Sequence, residues 1–323
     1  MKNTLIQIFA TALISMLGTI GYCQEFPSKP IRLIVGYQPG GNADLVTRLL
    51  AKEVMETKKY QMVIENRSGA GGFIANEYVA KSPPDGYTLL LANSSFAYIP
   101  AMFSNPPFDT IKDYAPVALL ASTATVLVVH PAVPAKNVKE LIALARSQPG
   151  KLTYASGGTG GSTHLSTELF KSMTKTNILH IPYKGNGPSI ADLVTGRVDI
   201  SMPPIGAVIN QIKSGRLRAL ATSGAQRAVA LPNVPTISEA GVTGYEAGSW
   251  YGFVAPAKTP ASIINTLSND MLAAGKRPSF KNYLENVIGA ELVTMGPAEF
   301  SKFIEAEVQK WGKVIKDAGI TAK

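Results

Sequence analysis

Two glycine-rich segments carry residue types at a spacing suited to holding an anion. Lys151 to Phe170 reads KLTYASGGTGGSTHLSTELF. A short apolar stretch ends at Ala155, four glycines follow between Ser156 and Ser162, and Leu165, Leu169 and Met173 then recur at helical spacing. Glycine lets the backbone take positive φ and approach a ligand closely. The helix beyond has unclaimed N–H groups and the positive end of its dipole. Ser162 and Thr163 add hydroxyls at or near the N-cap. The turn lacks the third glycine of a dinucleotide fingerprint and the Lys-Ser or Lys-Thr pair of a P-loop, so a carboxylate suits it as well as a phosphate. A plain helix cap is the alternative reading. Upstream, PSKPIRLIV followed by GYQPGGNADLVTRLLAKEV repeats the arrangement. Pro39 stiffens that turn, Gly40 and Gly41 bare two amides, Asn42 or Asp44 can cap, and Leu45, Leu49 and Leu50 mark a buried stripe. Asp44 also reads simply as a helix-start carboxylate favoured by the dipole.

The elements that must position these turns alternate between strand and helix, which predicts an α/β fold with a mainly parallel sheet. Met62 to Glu65 is a strand, and NRSGAGG (66–72) a third glycine-rich turn, read as close helix packing. Tyr87 to Ala92 is a strand ending in Asn93-Ser94-Ser95. Ligands of such sheets sit beyond the carboxyl ends of the strands, where Tyr37 to Asp44, Ser94-Ser95 and Ser156 to His164 all fall. Val117 to Val129 is too long for an ordinary strand and predicts a crossing between domains; Gly248 to Ala255 predicts a second. The expected division is 24–123 plus 248–323 in one domain and 124–247 in the other. Pro134 to Gln148 is an amphipathic helix, and Asn177 to Tyr183, Val198 to Met202 and Leu217 to Thr222 are strands. Pro297 to Ile315 closes the chain as a helix with Phe300, Phe303, Ile304 and Trp311 inward.

Composition narrows the function. Residues 1–23 form a secretory signal, with Lys2 before an apolar run and small residues Gly21 and Cys23 near the cleavage point. Cys23 raises a lipoprotein alternative, which the bulky Tyr22 before it disfavours. Its removal leaves no cysteine, excluding disulfides and thiol chemistry. The net charge of +9 is scattered (Lys58, Lys59, Arg216, Arg218, Lys310, Lys313), which fits a solvated surface with modest steering of anions, not a nucleic-acid site. His130, His164 and His180 are the only histidines, and no HExxH, GxSxG or Cys-His pattern occurs. The expectation is a binding protein without catalytic residues, metal or cofactor. A hydrolase using Ser162 and His164 stands as the competing class, and a ligand-sensing protein of a signalling system as a third.

PGGNAD (39–44), ENRSGAGG (65–72), PDGYTLL (84–90), SGGTGGSTHLSTELF (156–170), PYKGNGP (182–188), GRVDI (196–200), LPNVPTISEAG (231–241) and the Trp250 to Pro256 segment occur in an order that resembles the Bug receptors, the TctC-like solute-binding proteins of tripartite tricarboxylate transporters. The resemblance implies a two-domain periplasmic-binding-protein (Venus flytrap) fold with two crossing strands and a small carboxylate in the cleft: a dicarboxylate, aromatic acid or amino acid. It also implies a periplasmic location and transporter membrane subunits as partners; the absence of long exposed apolar segments adds the expectation of a monomer. Carried over residue by residue, it implicates Tyr37, Gly40, Gly41, Asn42 and Asp44 on one lobe and Ser156, Gly160, Ser162, Thr163 and His164 on the other. Ser94, at its strand end, and Tyr183, in the PYKGNGP block, complete the candidate set.

Overall fold

A computed structural model describes residues 26–103 and 105–320. The expected signal segment, with Cys23, lies outside them. Eleven strands are described: β1 (Ile31–Val35), β2 (Met62–Asn66), β3 (Thr88–Asn93), β4 (Tyr114–Ala124), β5 (Val126–Val129), β6 (Thr153–Ser156), β7 (Leu179–Pro182), β8 (Ile200–Ser201), β9 (Arg218–Thr222), β10 (Gly248–Pro256) and β11 (Glu291–Met295). They form two sheets, one in the order β11-β4-β10-β3-β1-β2 and the other β7-β6-β8-β5-β9. The fold is α/β, but both sheets are mixed rather than mainly parallel. β1 pairs parallel with β2 and β3, while β10 runs antiparallel to β3 and β4. In the second sheet β6 is parallel to β7 and β8, and β5 is antiparallel to β8 and β9. The antiparallel pairs involve the strands beside the crossings, β4, β5 and β10, and β11 adds one more at the edge of the first sheet, antiparallel to β4.

β1 shows why a continuous apolar run forms here. Ile34 packs in one cluster with Ala75, Val79 and Phe96, while Leu33 and Val35 pack in another with Val46, Leu50 and Val54. A strand covered on both faces needs apolar residues on both. The helix Asn42–Thr57 buries Val46 and Leu50 fully, whereas Leu45 and Leu49 are only partly covered.

The long run from Val117 to Val129 is not one strand. It breaks at Thr125, with β4 in the first sheet and β5 in the second. Ser223 ties this outgoing crossing to the returning one. Its hydroxyl accepts from Thr125 N at 2.7 Å and donates to Ala247 O at 2.6 Å, and its backbone exchanges bonds with the same two residues. Beyond Ala247 the chain re-enters the first sheet at Gly248 as β10.

The closing helix, Pro297–Asp317, lies against the helix Ser94–Met102. The Trp311 ring, fully buried, meets Tyr98 edge-on with centroids 5.2 Å apart. Buried Glu307 accepts from the indoles of Trp311 (2.9 Å) and Trp250 (3.1 Å) and pairs with Lys310, so its charge is compensated on three sides. Replacing Trp311 by Ala should cost about 3–5 kcal/mol of stability. Urea unfolding followed by circular dichroism measures it; a loss below about 1 kcal/mol would show that this packing contributes little.

Candidate functional site

Both glycine turns adopt the same local geometry. Gly40 and Gly160 have φ of +87° and +78°, and the N-caps Gly41 and Gly161 have φ of −77° and −75°. In each turn the side chain four residues on accepts from the first glycine's amide: Gly40 N donates to Asp44 Oδ2 at 3.0 Å, and Gly160 N to His164 Nδ1 at 2.9 Å. Thr47 and Thr167 each return a hydroxyl bond to the carbonyl four residues back. Neither N-cap receives a side-chain bond. The first-turn amides of both helices are therefore left unclaimed from within.

These helix starts lie on opposite walls of one cavity of about 750 Å³ between the two sheets. Gly41, Asn42 and Tyr37 line it from one side, and Gly157 to Ser162 from the other. A third helix, Ser94–Met102, begins at the same place, capped by Asn93 Oδ1 accepting from Ser95 N at 3.2 Å. The positive ends of three helices thus converge on a site where, among the described residues, no Asp, Glu, Lys, Arg or His lines the wall. An anion there would be met by amides and hydroxyls in place of an opposing charge.

Of the residues expected from sequence, Tyr37, Gly41, Asn42, Ser94, Gly160 and Ser162 line the cavity. Gly40, Asp44, Ser156, Thr163, His164 and Tyr183 do not, and their surroundings give the reasons. Asp44 is buried beneath its turn, accepting from Gly40, Arg48 (2.8 Å) and Asn66 (2.9 Å). Burial works to raise its pKa, but these donors outweigh it and hold the carboxyl below its ordinary value. Thr163 is buried and faces Asn186, and the Tyr183 hydroxyl donates to Asp192. Ser156 is buried with its hydroxyl 2.7 Å from His180 Nε2. The expected caps are also corrected: Asn42, Ser162 and Thr163 do not cap, because the N-caps are glycines. Nor does Gly41 need positive φ. That demand falls on Gly40, and on Gly160, where an added Cβ would also overlap Met102 Cε from across the cleft.

His164 cannot serve as a base to Ser162 in this arrangement, because its Nδ1 lone pair holds the Gly160 amide. Its ring stacks on His180, with centroids 4.0 Å apart, and its Nε2 lies 3.9 Å from Glu168. Burial, followed by repulsion from His180, pushes its pKa down to about 4 against the pull of Glu168.

Sequence reading missed the helix Ser94–Met102, because Pro100 within it argues against a helix. Ser95, Tyr98, Ile99 and Met102 reach the cavity from this helix, and Phe103 from just beyond it. The Ser-Ser start with apolar residues three and four apart was the available signal. Ala70 and Gly71, read as structural, also line the cavity, as do Thr123, Ser249 and Tyr251 at the crossings. Tyr37 anchors this wall: its hydroxyl lies 2.5 Å from Ser95 Oγ and can donate to Gly71 O or Asn93 Oδ1, and burial raises its pKa against the pull of Ser95 and Asn93.

The sequence matches, over residues 46–320, the family described as tripartite tricarboxylate transporter family receptor. It is 35% identical over 300 residues to Protein BugT of Bordetella pertussis, covering 92% of each chain. Among solved structures it is similar to R. palustris Rpa4515 with adipate (37% identity, TM-score 0.76, covering 92% of this chain and 99% of that one). It is also similar to MatC from Rhodopseudomonas palustris with bound malate (29% identity, TM-score 0.73, covering 90% and 100%).

The depressed pKa of His164 fixes a pH dependence. Between about pH 6.5 and 4 the unfolded chain binds a proton at His164 that the folded chain does not. Stability from this group is therefore complete above pH 6.5 and falls as pH drops toward 4, by up to roughly 1–3 kcal/mol. Urea midpoints across that range should fall more steeply for the wild type than for His164→Asn, whose amide oxygen can still accept from Gly160. Parallel curves would contradict the assignment.

Proposed function

Since the chain belongs to the tripartite tricarboxylate transporter receptor family, the Bug or TctC-like receptors, we propose that it captures a small carboxylate in the periplasm and delivers it to the membrane subunits of a tripartite tricarboxylate-type transporter. One observation carries this reading: two uncapped helix starts of matching geometry face one cavity, each with its leading glycine amide pinned from behind. A carboxylate has two oxygens, each able to accept more than one bond, and so can use donors from both walls at once. Charge-assisted bonds of this kind are about twice as strong as neutral ones.

The proposed lobes are 24–123 with 248–323, and 124–247. The chain passes between them at Thr125 and Ala247, so an acid touching both turns would favour the closed arrangement by its differential affinity. Contacts across the cleft support such closure. Met102 meets Gly160, and Gly289 approaches Gly206 within 3.5 Å of an added Cβ. The protein acts as a binder without turnover, a reading supported by the engagement of His164 with Gly160.

Two substitutions test the turns. Gly40→Val meets no neighbour within 4 Å, so its effect comes from the backbone alone, because a β-branched residue at φ +87° forces the turn out of its geometry. It should abolish carboxylate binding. Ser162→Ala removes one hydroxyl and leaves the amides, costing roughly 0.5–1.5 kcal/mol for a neutral bond or about 1.5–3 if it meets a carboxylate. Thermal stabilisation by the acid that mass spectrometry finds released from the denatured protein reads both, with its methyl ester as the control. Folded Gly40→Val binding as tightly as wild type, or the ester binding as tightly as the acid, would refute the paired-turn site.

A further inference from the structure

The second glycine turn is secured by more than its own helix. Ser156 Oγ accepts from Gly158 N, two residues on, at 3.2 Å, so a serine hydroxyl closes the chain over Gly157 and Gly158. A hydroxyl that is free to rotate closes such a turn weakly. This one is fully buried and lies 2.7 Å from His180 Nε2. Whichever of the two gives the proton, Oγ keeps a lone pair for the Gly158 amide. His180 thus fixes the side chain that fixes the turn, and Gly157 to Ser162 are what that turn presents to the cavity.

The first turn has a counterpart. β1 and β6, the strands that run into the two turns, each have a parallel neighbour at the edge of their sheet, β2 and β7. From the end of β2, Asn66 donates to Tyr37 O at 3.0 Å and to Asp44 Oδ1 at 2.9 Å. From β7, His180 reaches Ser156. Each turn is therefore held twice, once by the side chain four residues into its helix and once from the edge strand beside it. A residue that only filled space on β7 would need no polar atom against a buried hydroxyl. The His180 ring also stacks on His164 and Tyr154, with centroids 4.0 and 4.7 Å away. Burial holds its pKa below the ordinary value against the pull of Glu168, with Lys171 adding to the fall, so the ring is neutral near pH 7.

We infer that His180 is a positioning residue of the second glycine turn, acting through Ser156 and without touching the captured acid. It is not among the residues lining the cavity. That the turn holds a carboxylate rests on the reading above; that His180 sets the turn does not.

Amide hydrogen exchange in the purified protein, without added acid, tests the placement. His180→Phe keeps the stacked ring and loses the nitrogen, so exchange at Gly158 should speed up about tenfold, as it should in Ser156→Ala. His180→Gln, whose amide reaches the place of Nε2, should stay within about threefold of wild type. His180→Phe added to Ser156→Ala should change nothing further. Calorimetric titration with adipate and with malate should rank the proteins in the same order, with binding about tenfold weaker in His180→Phe. Wild-type exchange at Gly158 in folded His180→Phe, equal losses for Phe and Gln, or additive losses in the double variant would overturn the inference. So would a loosened Gly158 with unchanged affinity for an acid that binds. Wild type binding neither acid bears on the carboxylate reading, and the exchange measurement still decides the inference. Should His180→Phe not fold, pH titration of the wild type decides it. The Gly158 amide resonance should share a midpoint with the His180 imidazole and lose that response in Ser156→Ala. His164, Tyr154, Glu168 and Lys171 are the other titratable groups facing the ring, and a Gly158 midpoint that follows one of them instead would overturn the inference.

Discussion

The hydrogen bond from a glycine amide to the side chain four residues later is the constraint on which the site depends. A helix start that is capped by its own Ser, Asn or Asp satisfies its amides internally and has little left to offer a ligand. Here the acceptor sits one turn inside the helix and reaches back to the residue before the N-cap, so the turn is locked while the first-turn amides stay unclaimed. Asp44 does this in the first turn and His164 in the second. The chemistry differs: Asp44 brings a charge compensated by Arg48 and Asn66, whereas His164 must stay neutral to accept. The two walls are thus alike in shape and unlike in their response to acid.

Much of this architecture was legible in the sequence. The strand, Gly-Gly turn and helix repeat are written in PGGNAD and GTGGSTH, and the apolar runs that become β1, β3 and β10 stand out because strands covered on both faces tolerate no alternation. The outgoing crossing was visible as a run too long for one sheet, although the break at Thr125 was not, since it depends on Ser223 almost a hundred residues away. The second expected crossing, Gly248 to Ala255, is not one: that strand pairs only within the first sheet, and the chain crosses just before it at Ala247. Asp44 and His164 illustrate the limit at the site. Their positions in the motif marked them as part of the turn, but whether a side chain faces the ligand or the turn's underside is set by helix rotation and by partners such as Asn66 and His180. The helix Ser94–Met102 was hidden by Pro100. Local propensity counts the lost amide bond; it does not count the burial of Phe96 and Tyr98 in the core that holds the helix in place.

Packing links the crossings to the cavity. One apolar cluster contains Tyr98, Trp250, Phe300 and Trp311 together with Tyr154, Leu165, Phe170 and Tyr245, and so draws on strands and helices of both sheets. The Tyr245 hydroxyl donates to Ser166 O inside the helix that begins at the second turn, with a bond of 2.7 Å. This packing ties the helix that begins at the second turn to the Ser94–Met102 helix, and both helices line the cavity. Under the proposed closure, a small acid would bias the lobes through these same buried contacts.

The central claim is that one carboxylate is held by amides of both turns at once. The most direct measurement follows the backbone amide resonances of Asn42, Ala43, Ser162 and Thr163 by NMR while the acid that mass spectrometry finds released from the denatured protein is titrated in. The account predicts that all four shift together along a single binding isotherm with one dissociation constant. Shifts confined to one turn, or two isotherms at different concentrations, would contradict it.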